Sequence, residues 1–133
     1  IPSRLRFADV RNHLTTERLK RLMKTDLFIY HGYTEFLLAG RWLKVTPTFN
    51  SSLCERFRVK PLEFDGEHDA IFHPYDMEGR RHMEYVTDHG PFADVPYEKI
   101  LEMFRTHYGV YFQKEQPVAA GDFEREADDD RRR

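Results

Sequence analysis

Cysteine is nearly absent: Cys54 is the sole thiol in 133 residues. One thiol forms neither an internal disulfide nor a thiolate zinc cluster, and a reducing compartment, the cytoplasm, is the default expectation. Long apolar runs are missing too. Nothing approaches the roughly 20 residues of a membrane helix, so no membrane partner is expected. A basic excess is also lacking. The net charge is −2, and Asp122–Arg133, with six acids and four arginines, carries all of it. The remaining body is balanced at 17 basic and 17 acidic residues, which argues against nucleic acid as the main partner. No repeats are visible. The opening Ile1-Pro2-Ser3-Arg4-Leu5-Arg6-Phe7 shows no initiator Met, signal peptide or helix start. The expectation is that the true N-terminus lies upstream.

What is present is apolar and aromatic. Hydrophobic residues make up 40% and aromatics 14%, with eleven Phe and seven Tyr, enough for one domain with a packed core. Such an aromatic load suits a sheet. Arg4–Val10 alternates and reads as a strand. Thr15 or Thr16 can cap a helix from Glu17 to Met23, striped by Leu19, Leu22 and Met23.

The clearest element is Leu27–Phe49, two extended runs around the two-residue loop Ala39-Gly40. Pairing Leu38 with Arg41 places Glu35 opposite Lys44, Phe36 opposite Leu43 and Thr34 opposite Val45. One face then carries Phe36, Leu38, Leu43 and Val45 and is expected to be the core face. The other carries His31, Tyr33, Glu35, Trp42, Lys44, Thr46 and Thr48, a polar and aromatic floor for a cleft. A one-residue slip would exchange the faces. Pro47 ends regular pairing. Asn50 or Ser51 can cap a helix over Ser52–Phe57. Pro61–Gly90 reads as a long loop with one strand at Arg81–Val86. Pro96 opens a helix, Tyr97–Tyr108, with Ile100, Leu101, Phe104 and Tyr108 inward and Gly109 as its stop. Residues 117–133 read as a disordered charged tail.

A thiol acyl-transfer site needs a thiolate, a histidine to move its proton and a polar group to orient the imidazole. In this register Thr46 lies opposite Tyr33, diagonal to His31, and Thr48 lies opposite His31. A strand-borne histidine with a side chain about fifteen residues later is therefore a sensible pair.

Those residues resemble a family. The run His31-Gly32-Tyr33 through Gly40-Arg41-Trp42 to Thr46-Pro47-Thr48 is similar to the core motif of transglutaminase-like domains: a His, an aromatic two residues on, Gly-x-Trp, then Asp-Pro-Thr or Asp-x-Thr. Ile1-Pro2-Ser3-Arg4 is similar to the Gly-Ile-Pro-Ala-Arg stretch after the family's nucleophile helix. The resemblance covers residues 1–50. It implies a papain-like α+β fold, here an antiparallel sheet with a few packing helices, with 1–116 as the C-terminal part of the domain. It gives His31 the histidine role and puts the nucleophilic cysteine before residue 1, in an upstream segment of the same domain. Thr46 occupies the aspartate position, where a hydroxyl can accept a hydrogen bond from imidazole but offers no charge. Asn50 and Glu35 are the nearest alternative orienting groups, and a Cys–His–Asn triad is workable chemistry. Otherwise the site is weak or not catalytic. Tyr33 and Trp42 are expected to wall the acyl site. The implied substrate is a peptide or protein amide, with no cofactor required.

Blander readings stand beside these. His31 fits a satisfied sheet histidine, and Cys54 a small buried hydrophobe near a helix start. His68, Asp69, His73, Asp76, His82 and His89 match no compact metal motif and read as turn or surface residues. Arg80-Arg81-His82 suits ion pairs to Asp76 or Glu84. A non-catalytic interaction module with a degraded triad is the competing class, and Thr46 is the residue that favours it.

Overall fold

A computed structural model describes residues 1–46 and 49–109, together with Arg125, Asp128, Asp129 and Arg132. The protein is α+β, and the described residues form four antiparallel strands and three helices. The strands are β1 (Ser3–Asn12), β2 (Leu27–Leu38), β3 (Arg41–Val45) and β4 (Met83–Phe92), in the order β3-β2-β1-β4. The helices are α1 (Glu17–Met23), α2 (Ser51–Phe57) and α3 (Tyr97–Tyr108). Among the described residues no helix is long and apolar enough to cross a membrane. Most of the 117–133 segment and Thr48, the residue expected opposite His31, lie outside the described residues.

Local chemistry explains the elements. Thr16 caps α1, accepting a hydrogen bond from the Leu19 amide. Asn50 does the same for α2 through the Leu53 amide. The hairpin has the expected register, Leu38 with Arg41 and Glu35 with Lys44. Its turn works because Ala39 and Gly40 both hold positive φ, 47° and 76°, the backbone a two-residue hairpin wants. Helix α3 spans the expected residues and stops at Gly109.

Three features differ from the sequence reading. Strand β4 runs on to Phe92, past Gly90 and Pro91, because bulges at Phe7/Ala8 and Asp9/Val10 absorb the irregular residues. The face expected to be solvent-reachable is largely buried: Glu35 and Thr46 are each 2% exposed and Tyr33 6%, whereas Phe36 and Leu38 are only half-buried. The Pro61–Gly90 stretch is the cause. Ala70 bridges the outer edge of β3, and Phe72 packs into the core with Ala8, Val10, Tyr33 and Met83. Finally, Glu35 stands opposite Lys44 yet pairs with Arg4 (2.6 Å) and Arg6 (3.1 Å), while Lys44 pairs with Asp88 (3.5 Å). Two guanidiniums from β1 outcompete one flexible ammonium.

A second cluster, Met23, Ile29 and Tyr108 with Leu19, Phe28 and Phe104 against it, joins α1, the start of β2 and α3. The Tyr108 hydroxyl accepts from the Ile29 amide (2.7 Å) and donates to the Leu27 carbonyl (3.0 Å).

Candidate functional site

The backbone aims His31 through a kink. Strand β1 bulges between Ala8 and Val10, and Tyr30 takes a left-handed φ of 49° just before His31. Asp9 holds that kink, accepting hydrogen bonds from the Tyr30 amide (3.0 Å) and from His89 Nε2 (2.7 Å). The His89 ring stacks on Tyr30 at 4.1 Å. Next along, Gly32 leaves room for Phe7: a Cβ there would stand 3.2 Å from the Phe7 ring. The bulge, the kink and the glycine together decide where the imidazole goes.

The imidazole packs against the edge of Phe72, with ring centroids 5.6 Å apart. Its Nδ1 is buried and has no hydrogen-bond partner among the described residues. Burial pushes the His31 pKa below its usual value, so the ring is neutral near pH 7. His31 also walls a cavity of about 200 Å³ at the seam between the two core clusters. Phe28, Phe49, Phe57 and Phe72 supply most of its aromatic lining.

The other expected site residues are placed as follows. The Thr46 hydroxyl donates to the Ala70 carbonyl at 3.1 Å. The Asn50 side chain is taken up at the start of α2, accepting from the Leu53 amide and from Ser52 Oγ. Tyr33 is buried in the core, edge-on to Tyr85. Burial and the Asp88 carboxylate push its phenol up to about 12. Trp42 lies under the Arg4 guanidinium, 4.0 Å from the ring centroid. None of these four side chains lines the His31 cavity.

Cys54 faces elsewhere. It lines a smaller cavity of about 60 Å³ with His73 and His82, and the rings of Phe49 and Phe72 wall both cavities. Its Sγ approaches the Phe49 carbonyl at 3.9 Å, and burial raises its pKa, which keeps it a thiol. Among the described residues His82 Nδ1 and His73 Nε2 are buried without hydrogen-bond partners, and burial pushes His82 down to about 4. Structural or surface roles are what the sequence leads one to expect of these two histidines, and His82 is buried by the loop folding back, with its amide on the Pro74 carbonyl. Among the described residues no three His, Cys, Asp or Glu side chains are placed to hold a metal ion. Asp76 instead anchors its own turn, accepting from the Glu78 and Arg80 amides and from Arg80 Nε.

No protein-family model, no curated protein and no solved structure matches the chain.

Proposed function

We propose that this chain is the histidine-bearing part of a cysteine-dependent, transglutaminase-like acyltransferase or amide hydrolase. The observation that carries the reading is His31. It is a neutral imidazole on a rigid strand, beside a cavity, with a buried nitrogen that no group in the described chain satisfies. Buried polar atoms are normally partnered, so an orphaned one points to a missing partner. Cys54 is the wrong thiol, since Phe49 and Phe72 stand between its cavity and that of His31. The nucleophile then comes from a segment outside residues 1–133.

The chemistry runs in two halves. His31 takes the proton of the incoming thiol, and sulfur attacks the carbonyl carbon of a peptide or protein amide. The C–N bond breaks, His31 gives the proton to the departing amine, and a thioester remains. Water or an acceptor amine then attacks the thioester and releases the thiol. Thr46 and Asn50, the expected orienting groups, bond the Ala70 carbonyl and the start of α2 instead, so in this reading the group that orients the imidazole lies outside the described residues.

A second reading, a non-catalytic interaction module, draws support from Thr46. Its hydroxyl is spent on Ala70, so the imidazole lacks a charged orienting partner. Iodoacetamide labelling of the full-length protein near pH 7 separates the two. The enzyme reading expects one fast-labelling thiol other than Cys54, slowed at least tenfold by His31→Ala. Labelling at Cys54 alone, or a rate indifferent to His31→Ala, establishes the module.

A further inference from the structure

We propose that the cavity beside His31 is a binding pocket for a small apolar group, an aromatic ring or a branched aliphatic chain, and that it excludes a carboxamide. As the acyl pocket of the reaction, this rests on the thiol reading above and names its substrate class; as a binding site it stands on the cavity itself. At about 200 Å³ the space holds a benzene-sized body with room to spare, since dry engineered cavities of ~150 Å³ already bind benzene. It lies where the two core clusters meet, so Leu19 and Phe28 from one side face Val10, Phe72 and Met83 from the other.

The polar wall residues decide the selectivity. Asn12, Thr15 and Thr16 all line the space, but each commits a side-chain oxygen to the chain itself. Asn12 Oδ1 accepts from the Leu14 amide (3.0 Å), the Thr15 hydroxyl donates to the Asn12 carbonyl (2.6 Å), and the Thr16 oxygen accepts from the Leu19 amide (3.3 Å). No charged side chain lines the cavity except what a protonated His31 would supply. A glutamine carboxamide entering here would find, for its two N–H donors and its carbonyl, only His31 Nδ1 and what Asn12 and the two threonines leave over, in a wall that is otherwise apolar. Each group left unpaired costs roughly tenfold or more in affinity. A ring or branched chain loses nothing by the same move.

The test uses the full-length protein and two probes, benzene and propionamide, followed by NMR at the Leu14, Leu19 and Met83 methyls and the His31 ring. Benzene is expected to give saturable shifts at these four residues, and propionamide none at the same concentration. Leu19→Trp, which fills the space from α1, is expected to abolish the benzene shifts; amide exchange confirms that this variant is folded, and Val10→Phe fills the space from β1 if it is not. Absence of saturable benzene shifts overturns the proposal, as does propionamide binding equally well or benzene binding that survives both fillings. The thiol reading fails separately: benzene binding together with labelling indifferent to His31→Ala leaves a pocket without acyl chemistry. His31-dependent labelling without benzene binding leaves the chemistry without this pocket.

Discussion

Two regions of the molecule treat polar atoms in opposite ways. Near the hairpin, Glu35 is almost wholly buried, yet both its oxygens are taken, one by Arg4 and one by Arg6. Arg6 continues the chain to Asp88, which Arg6 holds down to about 2, and Lys44 closes it. Elsewhere His31, His73 and His82 each bury a nitrogen that no group among the described residues satisfies. Full pairing is what a structural network looks like. Orphaned imidazole nitrogens weaken the fold, and a protein keeps such groups where they serve chemistry or a ligand.

The sharpest way to break this contrast is Glu35→Ala. It leaves Arg4 to Trp42 and Arg6 to Asp88, and should cost about 3 kcal/mol in urea unfolding. A loss under about 1 kcal/mol would show the network to be ornamental. Acid attacks the other region. The His31 and His82 pKa values lie below the ordinary ~6.5 of an unfolded histidine, so the unfolded chain takes up those protons first. Stability is therefore unaffected above about pH 6.5 and falls as pH drops from there to about 4. His82 alone accounts for roughly 3 kcal/mol of that fall. His82→Leu should flatten this limb in a pH series of denaturant melts. The exposed His68, raised by Asp65, works in the opposite sense and is screened by solvent.

Smaller effects sharpen the comparison. His31→Leu removes an orphaned nitrogen and should raise stability by about 1 kcal/mol while abolishing His31-dependent labelling. A drop in stability instead would mean that the imidazole has a structural partner. Asn50→Ala should cost about 1 kcal/mol through its lost cap, read as a lower thermal midpoint.

How legible this was from sequence depended on the range of the forces involved. The cap at Thr16, the Ala39-Gly40 turn, the hairpin register and the whole of α3 are local, and each was readable from neighbouring residues. The Asp9 bulge and the Tyr30 kink were not, because they depend on His89, 80 residues from Asp9. The face assignment held for Leu43 and Val45, which are buried, but missed the burial of Tyr33, Glu35 and Thr46 on the other face for a similar reason. Alternation separates Phe36 from Glu35, but only the folded-back Ala70–Phe72 stretch and two arginines from β1 decide which side is covered. At the candidate site, the motif pointed to His31, and the structure sets that residue beside a cavity. Its unpaired nitrogen and the aromatic partition from Cys54 emerge only from packing, and Tyr33 and Trp42 were assigned to a cleft wall that the cavity does not use.

Two hydrogen bonds link the end of α3 to the histidine strand. Tyr108 Oη sits where a neighbouring strand's peptide group would otherwise be, taking one backbone proton and giving one back immediately ahead of the kink. The last turn of α3 is in effect a latch on the lead-in to His31. Without that hydroxyl the Ile29 amide and the Leu27 carbonyl would lose the partner that α3 brings them, one residue before the backbone turns to aim the imidazole.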